Sequence, residues 1–197
     1  MALDNKHLEF LFKRLGQWHA DTEPGLSYRE IEAIEAKYSF KFPPDLRQFL
    51  HYRLPVSEGW VNWRGTPEDK IRERLDWPVE GICFDIEFNK LWLADWGPWP
   101  GNLQDALRTA RAEIAKAPVM IPIYSHRYIP AEPCEEGNPV FSIHQTDIIY
   151  YGYDLTDYLS NEFKVAPAIL PDDIAQPPPF PAATNPRPIR FWDQFVG

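Results

Sequence analysis

Apolar residues recur at helical spacing near the start of the chain. Four of them stand at positions i, i+3, i+4 and i+7 within residues 6–18: Leu8, Leu11, Phe12 and Leu15. This spacing places them on one side of an α-helix, and the turn-forming run "DTEPG" then ends the pattern. We therefore predict an amphipathic first helix with a buried apolar face.

The stretch "SYREIEAIEAKYSF" begins with a helix-capping signal. Ser27 can accept a hydrogen bond from the backbone N–H of Glu30, and the Glu30 side chain can return one to the backbone of Ser27. This capping box predicts a second helix from this point. Its buried face is expected to contain Ile31, Ile34 and Tyr38.

Prolines mark the starts of two further helices. Pro44 suits a first helical turn, and the expected buried residues of that helix are Leu46, Phe49 and Leu50. In "RGTPEDKIRERLDWP", residues 64–78, we predict Thr66 as the N-cap and Pro67 in the first turn. The acidic residues expected to stabilise the positive end of this helix are Glu68 and Asp69.

Residues 80–101 show no clear period, and we interpret them as a short helical or extended segment leading into a tryptophan-rich loop. Two more helices follow later in the chain. One begins at the predicted cap Asn102 and ends before Pro118. The other is capped by Asp154, and its expected buried residues are Leu155, Tyr158 and Leu159.

Two runs rich in β-branched and aromatic residues predict strands. They are "VMIPIYSHRYIP", residues 119–130, and "PVFSIHQTDIIYYG", residues 139–152. The turn-prone "AEPCEEGN" separates them, so we expect one antiparallel pair. Helices followed by strands indicate an α+β fold, with a central antiparallel sheet flanked by helices.

The C-terminal part differs in composition. Residues 165–188 contain eight prolines, which favours an extended path over the surface. The final "IRFWDQFVG" is too apolar for a free tail and is expected to dock on the domain. We therefore predict one domain over residues 1–164 and a tail over residues 165–197.

Composition narrows the class of protein. The chain has 197 residues, of which 44% are hydrophobic and 15% aromatic, as expected of a folded domain. Only two cysteines occur, and we find neither a signal-peptide pattern nor an apolar run long enough to span a bilayer, so a cytoplasmic protein that does not enter membranes is expected.

The net charge of −9 is unevenly distributed. Residues 61–164 hold 17 acidic against 10 basic residues. This balance disfavours binding to nucleic acid, whose phosphates require lysine and arginine. It favours a basic protein partner, although the charge could also serve solubility alone.

Four blocks, in this order, resemble the SUKH superfamily, the group of the fungal cell-wall synthesis regulators and many bacterial toxin-immunity proteins. They are "SYREIEAIEAKYSFKFPPDLRQFL", "GICFDIEFNKLWLADWG", "PIYSHRYIP" and "NPVFSIHQTDIIYYGYDLTDYLSNEF". The last three look like one bacterial branch, and the resemblance covers residues 27–163. One departure is that the glycine usually found after the "FL" helix is delayed to Gly59.

The resemblance implies an α+β fold and a protein-binding role without a cofactor. In immunity members that role is to sit on a toxin domain, often a nuclease, and block it. A housekeeping binding role is the alternative within the same superfamily.

The loop "LWLADWGPWPG", residues 91–101 and hereafter the tryptophan loop, is the best candidate for a binding site. Trp92, Trp96 and Trp99 lie four and three positions apart beside Asp95. Tryptophan is enriched among the residues that dominate interface energies. The alternative is that these rings pack as a corner of the core.

Two other groups invite chemical interpretations. Asp85 and Glu87 form a carboxylate pair, but they share one face only in a strand, and the acidic surface is the simpler interpretation. In a single strand, Tyr124, His126 and Tyr128 share one face. His126 would then need a partner such as Asp147 or His144 for catalysis, and no nucleophile motif accompanies them.

We therefore predict a non-enzymatic domain that binds a basic protein without metal or cofactor, and the resemblance implies that this partner is a toxin domain. Metal binding is disfavoured because Cys83, His126, Cys134 and His144 lack chelating spacing. The alternative is a small-molecule binder or hydrolase with a pocket lined by Tyr124, His126, Tyr128 and Asp147. The predicted partner-binding residues are Asp85, Glu87, Trp92, Asp95, Trp99, His126, Arg127 and Tyr128.

Overall fold

The protein has an α+β fold in which a four-stranded antiparallel sheet lies between two layers of helices. The computed structural model describes residues 5–17, 20–163 and 183–197. Within these residues the chain forms six α-helices, one two-stranded sheet and one four-stranded sheet, both antiparallel. The predicted fold class, a central antiparallel sheet flanked by helices, is confirmed.

The N-terminal region forms three helices and the small sheet. Its elements are α1 (Asn5–Gln17), β1 (Thr22–Pro24), α2 (Tyr28–Tyr38), α3 (Pro44–Tyr52) and β2 (Arg53–Pro55), with β1 antiparallel to β2. The apolar residues predicted to face inward in these helices are buried, and Tyr38 is half-buried. Helical spacing alone was sufficient to identify these faces because each helix has one apolar and one polar side.

The predicted capping box at the start of α2 is confirmed. The Ser27 hydroxyl accepts from the backbone N–H of Glu30 at 3.2 Å, and the Glu30 carboxylate accepts from the backbone N–H of Ser27 at 2.7 Å. Glu30 also accepts from the guanidinium of Arg64 at 2.7 Å, and Arg64 in turn pairs with Glu23 at 3.0 Å. The helix start is therefore joined to β1 and to the loop that carries Arg64.

The longest helix, α4 (Glu68–Phe88), extends well beyond the predicted helix over residues 64–78. It continues through Pro78 and includes residues 80–88, the first part of the segment interpreted as helical or extended. The prediction of Thr66 as its cap is wrong, because Pro67 occupies the N-cap position and no side chain caps the helix. The next helix, α5 (Leu103–Ile114), has Asn102 as its N-cap, as predicted, and the Asn102 side chain accepts from the backbone N–H of Asp105.

The main sheet is a meander of four short strands rather than one pair of long ones. The strands are β3 (Met120–Tyr124), β4 (Arg127–Pro130), β5 (Val140–His144) and β6 (Asp147–Gly152), in that spatial order. The single-strand predictions are wrong because each run reverses at a two-residue turn, Ser125-His126 or Gln145-Thr146. Ser125 and Gln145 have φ of 46° and 57°, in the left-handed region.

Both faces of this sheet are covered. Met120, Tyr128 and Phe141 pack on one side with residues of α4, α5 and the C-terminal segment. On the opposite side of the sheet, Ile121 and Ile129 pack with residues of α1, α2, α3 and α6 (Leu155–Phe163). Burial on both faces removes the apolar–polar alternation by which strand boundaries and facing are usually recognised.

The described C-terminal segment, residues 183–197, packs on the domain. Ile189 and Trp192 are buried, and Trp192 Nε1 donates to the carbonyl oxygen of Pro118 at 2.8 Å. Arg187 donates to the side-chain oxygen of the buried Asn138 at 2.7 Å. Most of the proline-rich run predicted to be extended, and the predicted domain boundary at residue 164, lie outside the described residues.

Candidate protein-binding surface

The tryptophan loop follows α4 directly and is organised around Trp92. The indole nitrogen of Trp92 donates to the carbonyl oxygen of Gly97 at 2.8 Å. Its ring meets Trp96 and Trp99 edge-on, with centroid distances of 5.2 and 5.0 Å. Gly97 has φ of 81°, which an L side chain rarely adopts, so glycine is required at this turn. The loop is thus held by internal contacts.

The three tryptophans of the loop differ in exposure, so two of them fit the core interpretation and one fits the binding interpretation. Trp92 and Trp96 are half-buried and pack against the core between the sheet and α4–α5. Trp99 is 44% exposed, and Asp95 is also exposed. Trp99 and Asp95 can therefore reach a partner, whereas Trp92 mainly supports the ring of Trp99.

Asp85 and Glu87 lie on opposite sides of α4, because two residues in a helix are about 200° apart. Glu87 is exposed, but Asp85 is buried. Asp85 accepts hydrogen bonds from the backbone and hydroxyl of Thr146, at 2.9 and 2.5 Å, and from Asn89 at 2.6 Å. The prediction that Asp85 is a partner-binding residue is therefore wrong, because this carboxylate is used inside the fold to hold the β5–β6 turn against α4.

The predicted patch around the β3–β4 turn is also largely internal. Arg127 is buried, with an ion pair to Glu162 at 2.8 Å, and its guanidinium lies 3.7 Å from the ring centroid of Tyr151. Tyr128 is buried on the opposite face of the sheet, against α4. The prediction that Arg127 and Tyr128 contact a partner is wrong. Both residues are buried, and their polar groups bond to other residues of the domain.

His126 is exposed at the tip of the β3–β4 turn. Its Nδ1 lies 3.0 Å from the hydroxyl oxygen of Ser125. Partial burial, with the nearby Arg127 guanidinium, lowers the pKa of His126, so the ring favours the neutral form. Of the three residues of the predicted patch, His126 is exposed, whereas Arg127 and Tyr128 are buried.

The structure does not bring together the four residues of the alternative pocket. Tyr124 packs against Trp60 on one side of the sheet, whereas Tyr128 lies on the other side. Asp147 is exposed at the β5–β6 turn, opposite His144 in the register. The strand predicted to align these side chains is interrupted by a turn, so they do not line one cavity.

Sequence reasoning missed an exposed aromatic stripe on α4. It consists of Trp77, Phe84 and Phe88, which are 48%, 44% and 61% exposed. Their positions, i, i+7 and i+11, place them along one line of the helix. Phe84 and Phe88 contact each other, with ring centroids 4.6 Å apart. The sequence shows this spacing, but it indicates a shared helix face only if the helix is assumed to continue through Pro78.

A row of carboxylates runs beside the aromatic stripe. At 100° per residue these side chains lie to one side of Phe84, by about 20° to 80° around the helix axis. The members of this acidic row, all exposed, are Asp69, Glu73, Asp76, Glu80 and Glu87. Glu73 is paired with Lys70 and Glu80 with Arg111, both within the described chain.

Three members of the acidic row are available to a partner. Asp69, Asp76 and Glu87 make no ion pair with any residue that the structure describes. The acidic row and the aromatic stripe therefore present negative charge next to apolar area on the same helix face. The candidate surface consists of the acidic row, the aromatic stripe and the exposed part of the tryptophan loop, which follows α4 along the chain.

Two cavities lie near this surface. One, of about 320 Å³, lies between the first half of α4 and the end of α5, and its lining includes Arg72, Asp76, Arg111 and Trp192. The other, of about 330 Å³, lies between the tryptophan loop and the C-terminal segment. Its walls include Asp95, Trp96 and Phe191. Neither is lined by the residues of the alternative pocket.

Potential metal ligands are dispersed in the described part of the chain. No group of three or more His, Cys, Asp or Glu side chains there could hold a metal ion. Cys83 is buried, and burial raises the pKa of its thiol. Among the described helices, none has the length and apolar character needed to cross a bilayer.

Comparison with known proteins identifies no relative. No protein-family model matches the chain, and neither a curated protein nor a solved structure matches it. The SUKH resemblance therefore stays a prediction from the sequence blocks.

Proposed function

We propose that this protein is a non-enzymatic binding domain that holds a basic protein partner on the outer face of α4 and the adjoining tryptophan loop. The binding residues are Asp76, Trp77, Phe84, Glu87, Phe88, Asp95 and Trp99. An immunity role, in which the partner is a toxin domain, is the specific form that the SUKH resemblance implies.

The observation that carries this proposal is the exposure of three large aromatic side chains on one helix face. Trp77, Phe84 and Phe88 each expose more than two fifths of their surface to water. Full burial of a large apolar side chain is more favourable than full exposure to water by roughly 1.5–3 kcal/mol. A contiguous apolar stripe with a polar rim is typical of an interaction site.

Charge indicates the chemistry of the partner. The unpaired carboxylates of Asp69, Asp76 and Glu87 lie beside the stripe and repel phosphates and anionic lipids. They attract lysine and arginine, and such complementarity raises association rates as well as specificity. A basic protein surface with apolar residues at its centre therefore fits both features.

The test is affinity capture from a lysate of the native host, eluted by increasing salt. A basic protein that is retained by the wild type and lost with Phe88→Ala or Trp99→Ala would support the proposal. Tyr28→Ala is the matched control, since Tyr28 is an exposed aromatic residue on α2, outside the surface. Retention of the same proteins by all variants, or capture of none, would contradict it.

A further inference from the structure

The candidate surface on α4 is closed on one side and charged on the other. The β5–β6 turn lies against the helix at Gly81, where an added Cβ would be 2.8 Å from the Cα of Gln145. Gly81 lies about 60° from Phe84 around the axis, on the side away from the acidic row. A partner thus has a wall on one flank of the aromatic stripe and carboxylates on the other.

The length of the stripe matches a short helix. Trp77 and Phe88 are eleven residues apart, which corresponds to about 16 Å along the axis. Residues at i, i+4, i+7 and i+11 of a second helix cover the same length in three turns. Helices of this kind pack side chain against side chain, with ridges of one in grooves of the other.

Backbone chemistry also favours a helical partner. The main-chain N–H and C=O groups of α4 are bonded within the helix, and the Arg74 carbonyl, which faces Pro78, accepts from Tyr128 instead, so these groups are not available to a bound strand. An extended peptide lying on this face would lose water from backbone groups without gaining partners. A helix satisfies its own backbone and can therefore cover the stripe without that cost.

We propose that the segment of the partner that occupies this surface is an amphipathic basic α-helix, with an apolar stripe over Trp77, Phe84 and Phe88 and lysine or arginine along the flank that faces the acidic row. This inference rests on the proposed function and names the part of the partner that is recognised. Glu87 and Asp76 receive the basic side chains.

Other occupants fit the charges less well. The chain's own residues 165–182 contain Asp172 and Asp173 and no lysine or arginine, so they would bring acid towards the acidic row. A second copy of the protein packing through the same face would juxtapose two acidic rows. Both arrangements place like charges together, which is unfavourable.

The test uses synthetic peptides with a fluorescent label, titrated with the full chain and followed by anisotropy. The first peptide, of about 18 residues or five helical turns, carries leucine at i, i+4, i+7 and i+11 and lysine along one flank, on an alanine background. The second has the same composition in shuffled order. The third keeps the leucine and lysine positions but carries two interior prolines, which break the helix.

The first peptide is expected to bind at least about tenfold more tightly than the other two, because only it can present both stripes at once. Phe84→Ala and Phe88→Ala are each expected to weaken its binding about tenfold or more. The double variant Asp76→Asn/Glu87→Gln should weaken binding at low salt and reduce its salt dependence. Tyr28→Ala should leave the affinity unchanged.

Several results would overturn the inference. Equal affinity for the first and second peptides would show charge attraction alone; the helix would be excluded while the proposed function stands. Binding that is insensitive to Phe84→Ala and Phe88→Ala would place the peptide elsewhere. A concentration-dependent dimer in sedimentation, abolished by Phe88→Ala, would make a second copy the occupant.

Failure of the proposed function gives a different pattern. If none of the peptides binds but the lysate still yields a partner lost with Phe88→Ala, only the helical inference fails. If neither peptide nor lysate protein binds, both fail.

Discussion

Tyr128 donates its hydroxyl hydrogen to the main-chain carbonyl oxygen of Arg74 at 3.1 Å. Arg74 is four residues before Pro78, whose nitrogen has no hydrogen to donate to that carbonyl. The sheet thus supplies a hydrogen bond that the helix itself lacks. Burial raises the pKa of Tyr128, so the hydroxyl remains a donor at neutral pH. This contact supports the helix turn that carries Trp77.

The substitution Tyr128→Phe is therefore expected to lower the free energy of unfolding by about 1–3 kcal/mol. It removes the hydroxyl that donates to the Arg74 carbonyl in place of the missing N–H. Urea denaturation followed by circular dichroism measures this change. Tyr28→Phe, at an exposed ring, should change the free energy of unfolding by less than about 0.5 kcal/mol.

A double-mutant cycle tests the cause. In Pro78→Ala the backbone N–H of residue 78 can donate to the Arg74 carbonyl, so the additional substitution Tyr128→Phe should cost less than it does in the wild type. An equal cost in both backgrounds would show that the hydroxyl contributes in some other way.

Asp85 and Glu87 should differ sharply in their effect on stability. Asp85→Ala is expected to lower the free energy of unfolding by about 2–3 kcal/mol, since the backbone N–H and hydroxyl of Thr146 would lose a charged acceptor. Glu87→Ala should change it by less than about 0.5 kcal/mol, because Glu87 is exposed. Chemical denaturation of the two variants under identical conditions provides the comparison. Similar values would contradict the internal role of Asp85.

Two helical glycines are expected to respond oppositely to alanine. At Gly16 in α1 an added Cβ meets no atom of the described residues within 4 Å, so Gly16→Ala should stabilise the protein by about 0.5–1 kcal/mol. At Gly81 the added Cβ would lie 2.8 Å from the backbone of Gln145. Gly81→Ala should therefore destabilise the protein by about 1 kcal/mol, since the clash exceeds the gain in helix propensity. Thermal denaturation distinguishes the two signs, and stabilisation by Gly81→Ala would show that the β5–β6 turn does not press on α4.

Stability should depend on the ionisation of Glu30. The hydrogen bond from the Arg64 guanidinium, with those from Ser27, lowers the pKa of Glu30 to about 2, from 4.5. The folded state therefore binds this proton less tightly than the unfolded state does, so the contribution of Glu30 is complete above the unfolded pKa and is lost as pH falls towards 2.

The measurement is the melting temperature of wild type and Glu30→Gln between pH 7 and pH 2. Wild type should be the more stable at neutral pH, and the difference should shrink as the pH falls below 4.5. Arg64→Gln should reduce the same pH-dependent difference. A difference that is constant across this range would contradict the assigned ionisation.

The helices were the most predictable part of the fold. Apolar residues at intervals of three and four identified the buried faces of α1, α2 and α3, and the caps at Ser27 and Asn102 were identified from local hydrogen-bonding groups. Such features involve residues close in sequence, so no knowledge of the tertiary structure is needed to recognise them.

The strands and α4 were less predictable because their limits depend on distant contacts. The turns at Ser125 and Gln145 contain neither glycine nor proline, so nothing local distinguishes them from the strands beside them. Pro78 normally ends a helix, and the donor that compensates for it, Tyr128, lies fifty residues later in the chain.

The candidate surface, like the fold, was only partly predictable from the sequence. The sequence by itself determined that the protein is acidic, rich in aromatic residues and α+β in class, because composition and short-range periodicity carry that information. It also drew attention to Glu87, Asp95 and Trp99, which are exposed. Only the tertiary structure decided that Asp85, Arg127 and Tyr128 are internal and that Phe84 and Phe88 face water. Which side of an element is buried depends on what packs against it, and that neighbour is usually far away in the sequence.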